Sequence, residues 1–391
     1  MSSSAINLLD VALFTERREQ DVFKKLRDEH PVYFHPEPDG PGFHAVTRYS
    51  DVSEVLRASE TFINGKGTQI RDKRAEGHGA PSIHNMDAPR HAKVRGKAIP
   101  GIKREVLDRM VPKIREIVHK LIDDCPDDEP FDFVAKVASP LPMLVIGELL
   151  GVPIEDRPLT VGWANTMTDT SAGEADQAKA RGELFRYFRQ LVAEKRVDPA
   201  DDLASILANA TIDDVPLTQE ELDAYFMVLT AAGNETTRFL VSGGLEQLCL
   251  QPEDLKALGT APERIPAAIE EMVRWVTPVM MMRRTAAADA EIAGKAIGAG
   301  EKVVVYFVSA NRDERQFADP QVFLPTRADN QHIGFGVGPH FCLGAHVARL
   351  EAKILFQELL QRKQGIHLQR LGRKLPSYWF SGYADLPVRW N

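Results

Sequence analysis

The sequence is poor in cysteine, in aromatic side chains and in long apolar runs, and it carries no basic excess. Its three cysteines, Cys125, Cys249 and Cys342, are odd in number and widely spaced. That excludes a disulfide framework and fits a reducing compartment. Lys and Arg number 48 against 56 Asp and Glu, a net charge of −8. Nucleic-acid binders usually show the opposite balance, so no nucleic-acid partner is expected. The most apolar stretch, from Leu222, is interrupted by Asn234-Glu235-Thr236-Thr237-Arg238. No run reaches the length of about 20 residues that spans a bilayer. The first residues lack a basic region followed by an apolar one, so neither signal peptide nor membrane anchor is expected, and a cytoplasmic location is. No Gly-Lys-Ser/Thr phosphate loop or nicotinamide fingerprint occurs.

What is present is a chain of 391 residues, 43% apolar, enough for a large core. The 27 Gly and 25 Pro are scattered as punctuation. No repeat or linker divides the chain, so one continuous domain is expected over 1–391. Helical periodicity governs about 90–275 and 343–363, and smaller β-rich parts fall at about 31–47, 279–310 and 366–391. The fold class is therefore mainly α with a minor β region. Val32–His35 and Phe43–Val46 read as strands, followed by a helix capped by Ser50. Residues 61–86 read as a long lid or binding loop. Thr218 and Glu221 form a capping box that opens a helix over 218–250, near 50 Å long. Pro266 opens another, which Thr277-Pro278 closes. Val279–Thr285 and Val303–Val308 read as strands, and a helix runs from about 343.

Four constellations carry chemistry. In Phe335-Gly336-Val337-Gly338-Pro339-His340-Phe341-Cys342-Leu343-Gly344, a glycine-rich loop presents one cysteine at a helix entry. Amides and the helix N-terminus favour a thiolate there, which suits a soft metal or haem iron. A buried structural cysteine is the plainer alternative, and a zinc site with His340 and His346 lacks a fourth ligand. Glu271 and Arg274, three apart, share a helix face and can pair. Ala232-Gly233-Asn234-Glu235-Thr236-Thr237 sets a glycine and polar residues inside an apolar helix, where a threonine hydroxyl can bond back one turn and open it. His91 and Arg95 lie one turn apart, facing the same way.

These motifs, in this order and spacing, resemble those of the cytochrome P-450 haem-thiolate monooxygenases, soluble bacterial branch. The resemblance implies the cytochrome P-450 fold, with the long central helix crossing the haem. It implies haem b ligated by Cys342, with Phe335, Gly336, Gly344 and Ala232 beside it. His91, Arg95, Arg284 and His340 would hold its propionates. Glu235 and Thr236 would deliver protons during oxygen activation, and Glu271, Arg274 and Arg327 would support the fold. Val228, Ala231, Val279, Met280, Met281, Met282, Trp379 and Phe380 would line the substrate pocket. With no nicotinamide or flavin motif, electrons would come from a [2Fe-2S]-type ferredoxin and its NAD(P)H-dependent reductase. That partner would dock near Arg349 and Lys353. The expected reaction is hydroxylation by O2 of a C–H bond in a hydrophobic small molecule: a terpenoid, alicyclic, steroid or aromatic. A peroxide-using haem-thiolate peroxygenase and a non-catalytic haem sensor are the alternatives.

Overall fold

The computed structural model describes residues 6–71, 81–168, 173–363 and 365–390. Seven helices frame the site: α1 Arg90–Gly96, α2 Arg104–Asp123, α3 Pro140–Leu149, α4 Glu174–Val197, α5 Gln219–Leu250, α6 Ile265–Val276 and α7 Ala345–Arg362. The strands that matter are β1 Val32–His35, β2 Phe43–Val46, β3 Phe62–Ile63, β4 Met281–Ala286 and β5 Lys302–Tyr306. They form one sheet in the order β1-β2-β5-β4-β3, parallel only between β2 and β5.

Strand β5 is buried along its whole length. Its period of two explains why. Val303 and Val305 enter one apolar cluster with Val46, Leu56 and Phe307, while Val304 and Tyr306 enter another with Leu8, Phe23 and Met281. A third and larger cluster packs α2, α3, α4, α5, α6 and α7 together.

Helix α5 opens as the capping box requires. Glu221 N–H donates to Thr218 Oγ1 (3.2 Å), and Thr218 N–H donates to Glu221 Oε2 (3.0 Å). The helix stays continuous through its polar middle. At Gly233 a Cβ would meet Ile146 Cδ1 at 2.7 Å, so glycine lets α3 approach closely.

A knot of charge closes the far side of α6. Glu271 and Arg274, both fully buried, pair through two bonds of 2.7 Å. Arg327 Nε adds a third at 3.0 Å, and Asn330 Nδ2 and the Leu324 N–H donate as well. Arg274 also donates to the carbonyls of Asn311, Pro320 and Val322. The knot thus pins residues 311–344, which hold no helix or strand, against α6.

Four expectations shift. The helix Tyr49–Arg57 is capped at Arg48, not Ser50. Asp313 Oδ2 accepts the Tyr49 N–H (2.9 Å), and Ser50 turns to Asp51 inside the first turn. The expected loop 61–86 contains β3 and a 3-10 turn at Ile83–Asn85. Residues 72–80 of the expected lid or binding loop lie outside the described residues. The strand expected over 279–285 begins only at Met281, with Val279 in an isolated bridge to Phe380. The strand expected to run to Val308 ends at Tyr306, where a short helix, Phe307–Ala310, begins. Among the described residues no helix is long and apolar enough to cross a membrane.

Candidate active site

A cavity of about 280 Å³ lies between α5 and the segment 334–348, with walls from α1, α3 and β4. The cysteine loop forms its floor. Gly336 (φ +72°) and Gly338 (φ +77°) adopt left-handed backbone, which L side chains rarely adopt. A Cβ on Gly338 would also sit 2.7 Å from the Leu56 carbonyl oxygen. The loop closes on itself through Cys342 N–H to Phe335 O (2.8 Å) and Phe341 N–H to Gly338 O (3.0 Å). Arg349 lies 4.4 Å over the Phe335 ring and makes two 2.7 Å bonds to Glu270.

Cys342 is exposed by surface area, yet it sits deep within the protein. The two facts agree once the exposed surface is recognised as cavity wall. Burial pushes the thiol up, against the Gly344 N–H and the charges of Arg95 and Arg349, which pull it down. The thiolate expected from the helix entry is thus not favoured by the protein alone.

His91, Arg95, Arg284 and His340 all reach the cavity. The rings of His91 and His340 stack at 3.9 Å. Arg95 donates to Phe341 O (2.6 Å), and Arg284 to Arg283 O (2.8 Å). Burial first, then the neighbouring His91, Arg284 and Arg95, drive His340 down to about 3. Burial lowers Arg284 to about 10, so it stays charged at neutral pH. His91 is lowered by burial and by Arg95, and its buried Nε2 has no hydrogen-bond partner. Four donors converge here, with Asp87 the acidic neighbour of His91 and Arg284.

Above them, α5 presents Val228, Leu229, Ala232, Gly233, Thr236, Thr237 and Leu240 to the cavity. Thr236 Oγ1 donates back to Ala232 O (2.8 Å), as its position one turn on allows. Glu235 and Ala231 fall outside this stripe, because neighbours on a helix are rotated by about 100°. Glu235 Oε2 instead accepts from Arg238 (2.7 Å).

Other expected pocket residues divide between cavity and core, and strand alternation governs only Met281 and Met282, since β4 begins at Met281. Val279 and Met282 line the cavity, whereas Met280 and Met281 are buried in the cluster with Leu8 and Phe23. Trp379 and Phe380 stack on each other at 4.7 Å, and Phe380 packs on Phe239 rather than on the cavity. Of the two expected docking residues, Lys353 is exposed, while Arg349 is committed to Glu270.

The structure adds residues that sequence reasoning passed over: Thr237, His84, Ile146, Leu149 and Glu351 all line the cavity. For Glu351 a signal existed, a carboxyl one turn after Val347 on an otherwise apolar face.

Comparison with known proteins places this geometry. The family model "Cytochrome P450" matches residues 264–367. Linalool 8-monooxygenase of Pseudomonas putida is 35% identical over 393 residues, covering 96% of each chain. Cytochrome P-450 126 of Mycobacterium tuberculosis is 39% identical over 379 residues, covering 92% of this chain and 91% of its own. The chain belongs to the cytochrome P-450 family. Among solved structures, Mycobacterium marinum cytochrome P-450 CYP268A2 in complex with pseudoionone superposes with a TM-score of 0.91 at 33% identity, covering 100% of both chains. The chain is accordingly a haem-thiolate monooxygenase whose cofactor is haem b.

The residues present fit that group. A haem b brings two carboxylates, and the cavity supplies cationic donors with the His91 Nε2 unpartnered. It brings an iron that takes a soft ligand, and one thiol faces the cavity.

Proposed function

We propose that this chain hydroxylates an unactivated C–H bond of a small to medium hydrophobic molecule, using O2 and two electrons from a [2Fe-2S] ferredoxin and its NAD(P)H-dependent reductase. The observation that carries this reading is the cavity: apolar walls from α3, α5 and β4 over a single thiol. Cys342 Sγ is the iron ligand, and His91, Arg95, Arg284 and His340 seat the propionates through charge-assisted bonds. When bound, the haem supplies the oxygen-activating redox chemistry. The chain's own groups do the rest. Val228, Val279, Met282 and Ile146 hold the substrate and exclude water. Thr236 Oγ1, exchanging its bond to Ala232 O, passes a proton into the cavity. Glu235 resupplies it by leaving its pair with Arg238.

Branched aliphatic walls, with Ile146, Leu149, Leu229 and Leu240, suit a terpenoid or alicyclic skeleton. The linalool monooxygenase among the relatives and the steroid C26-monooxygenase of Rhodococcus jostii (34% identical) support that class. Exposed Lys353 offers a cation to an acidic donor protein, whereas Arg349 positions Phe335.

Optical titration of the holoenzyme with a panel of terpenoids, steroids and aromatics tests the reading. Terpenoids or alicyclics should give the largest low-to-high-spin shift. A panel in which only charged, polar compounds bind would overturn it. Thr236→Ala should keep the spin shift yet divert electrons to peroxide. Unchanged coupling would remove the proton role.

A further inference from the structure

Glu351 is the one carboxyl among the described residues lining the cavity. It is 1% exposed, and its Oε2 is buried without a hydrogen-bond partner. It sits on the same helix that leaves the cysteine loop. Gly344, Val347, Ala348 and Glu351 all line the cavity, so one face of α7 runs along it from the cysteine. At a rise of 1.5 Å per residue, Glu351 lies roughly 10 Å along the axis from Gly344.

Other charged groups around α7 are occupied or remote. Glu358 is paired with Arg115 and His119 of α2, and Glu270 of α6 with Arg349 and His332. Glu271 of α6 is in the knot, Glu246 of α5 is bound by Arg17, and Glu148 of α3 by Arg157. Glu253, Asp254 and Lys256 belong to the helix Pro252–Thr260, which also packs on α7. None of them, and none of the cavity's cationic donors, contributes to the state of Glu351. Burial alone raises it to about 8.

A carboxyl so placed cannot ignore a charge that changes beside it. At roughly 10 Å and an effective dielectric of about 20, one unit charge alters the proton affinity of another group roughly tenfold. An electron arriving at the iron adds such a charge.

We infer that Glu351 is a redox-linked proton site: its carboxylate takes one proton from solvent as the Cys342-bound haem iron accepts one electron from the donor protein, and releases it when that electron leaves. The electron comes from the donor protein and the proton from solvent; at tenfold coupling about half the molecules take up the proton per electron at the centre of the window, and no bond to iron is made or broken. Glu351 is a positioning residue in this role, holding a proton where it stabilises the reduced state. The inference rests on haem bound through Cys342. Failure of that reading would show in the carbon-monoxide spectrum, and failure of this one only in the pH dependence.

The test is redox titration of the holoenzyme against pH, over about pH 6 to about pH 10 to bracket the carboxyl. The sign follows from linkage. The reduced state binds the proton more tightly, so the potential is high and flat at low pH. It falls through the window around Glu351's own range, then is low and flat above it. Across the window the potential should fall by about 59 mV in all, the one-electron equivalent of a tenfold change, with a slope of about half that per pH unit at its centre. Glu351→Gln should flatten it while the carbon-monoxide spectrum stays unchanged. An equal slope in the variant overturns the proposal, as does a flat wild-type line. Should E351Q fail to hold haem, E351D decides instead: its shorter carboxyl should move the sloped window along the pH axis, and a window left in place overturns the proposal.

Discussion

The knot around Glu271 and the cavity around Cys342 bury comparable sets of charged side chains and treat them in opposite ways. In the knot, Glu271 meets two arginines, an amide and a backbone N–H, and Arg274 spends its remaining donors on carbonyls. In the cavity, His91 Nε2 and Glu351 Oε2 meet no protein partner. Burial without partners costs free energy. The knot pairs its buried charges within the protein, whereas the cavity leaves a donor and a carboxyl open beside space that a ligand can fill. The difference separates architecture from function more cleanly than burial does, since both glutamates are about equally buried.

The largest effect tests the knot. Glu271→Gln leaves Arg274 and Arg327 buried without a countercharge and should cost about 3–5 kcal/mol of stability. Denaturant unfolding reads this directly. A loss under 1 kcal/mol would mean the knot is not what holds residues 311–344. Next come two adjacent methionines of β4, Met281 and Met282. Met281→Ala should cost about 2–5 kcal/mol by leaving a cavity in the core, with ligand spin shifts unaltered. Met282→Ala should do the reverse, weakening hydrophobic ligands about tenfold or more with a smaller loss of stability. Matching behaviour of the two would erase the parity argument for β4. Smallest is His91→Ala, which removes one charge-assisted bond worth about 1.5–3 kcal/mol. It should speed haem loss to a scavenger globin by about tenfold or more, leaving unfolding of the haem-free chain unaltered. Slower or unchanged release would detach His91 from the propionates.

The same contrast explains what could be read in the residues alone. The cysteine loop, the Glu271–Arg274 pair and the capping box at Thr218 were legible because each depends on residue type at fixed spacing, set by local backbone geometry. Strand parity was not. Val279 through Met282 reads as one apolar run, and only pairing with β5 decides that Met282 faces the cavity while Met281 faces Leu8 and Phe23. Trp379 and Phe380 read as pocket residues, but Phe239 of α5 takes Phe380, and Trp379 stacks on Phe380. Arg349 looked like a free cation, but Glu270, far away in sequence, neutralises it. Each miss involves a partner brought in by the fold. Glu351 is the converse case, a residue notable for having no such partner.

The account turns on sulfur at position 342 reaching iron. Reduced protein should bind carbon monoxide with the long-wavelength absorption band that marks thiolate-ligated haem, and Cys342→Ser should lose that band while the chain still folds. A serine variant that keeps the band, or purified protein that takes up haem without ever showing it, would contradict the assignment of Cys342 as ligand.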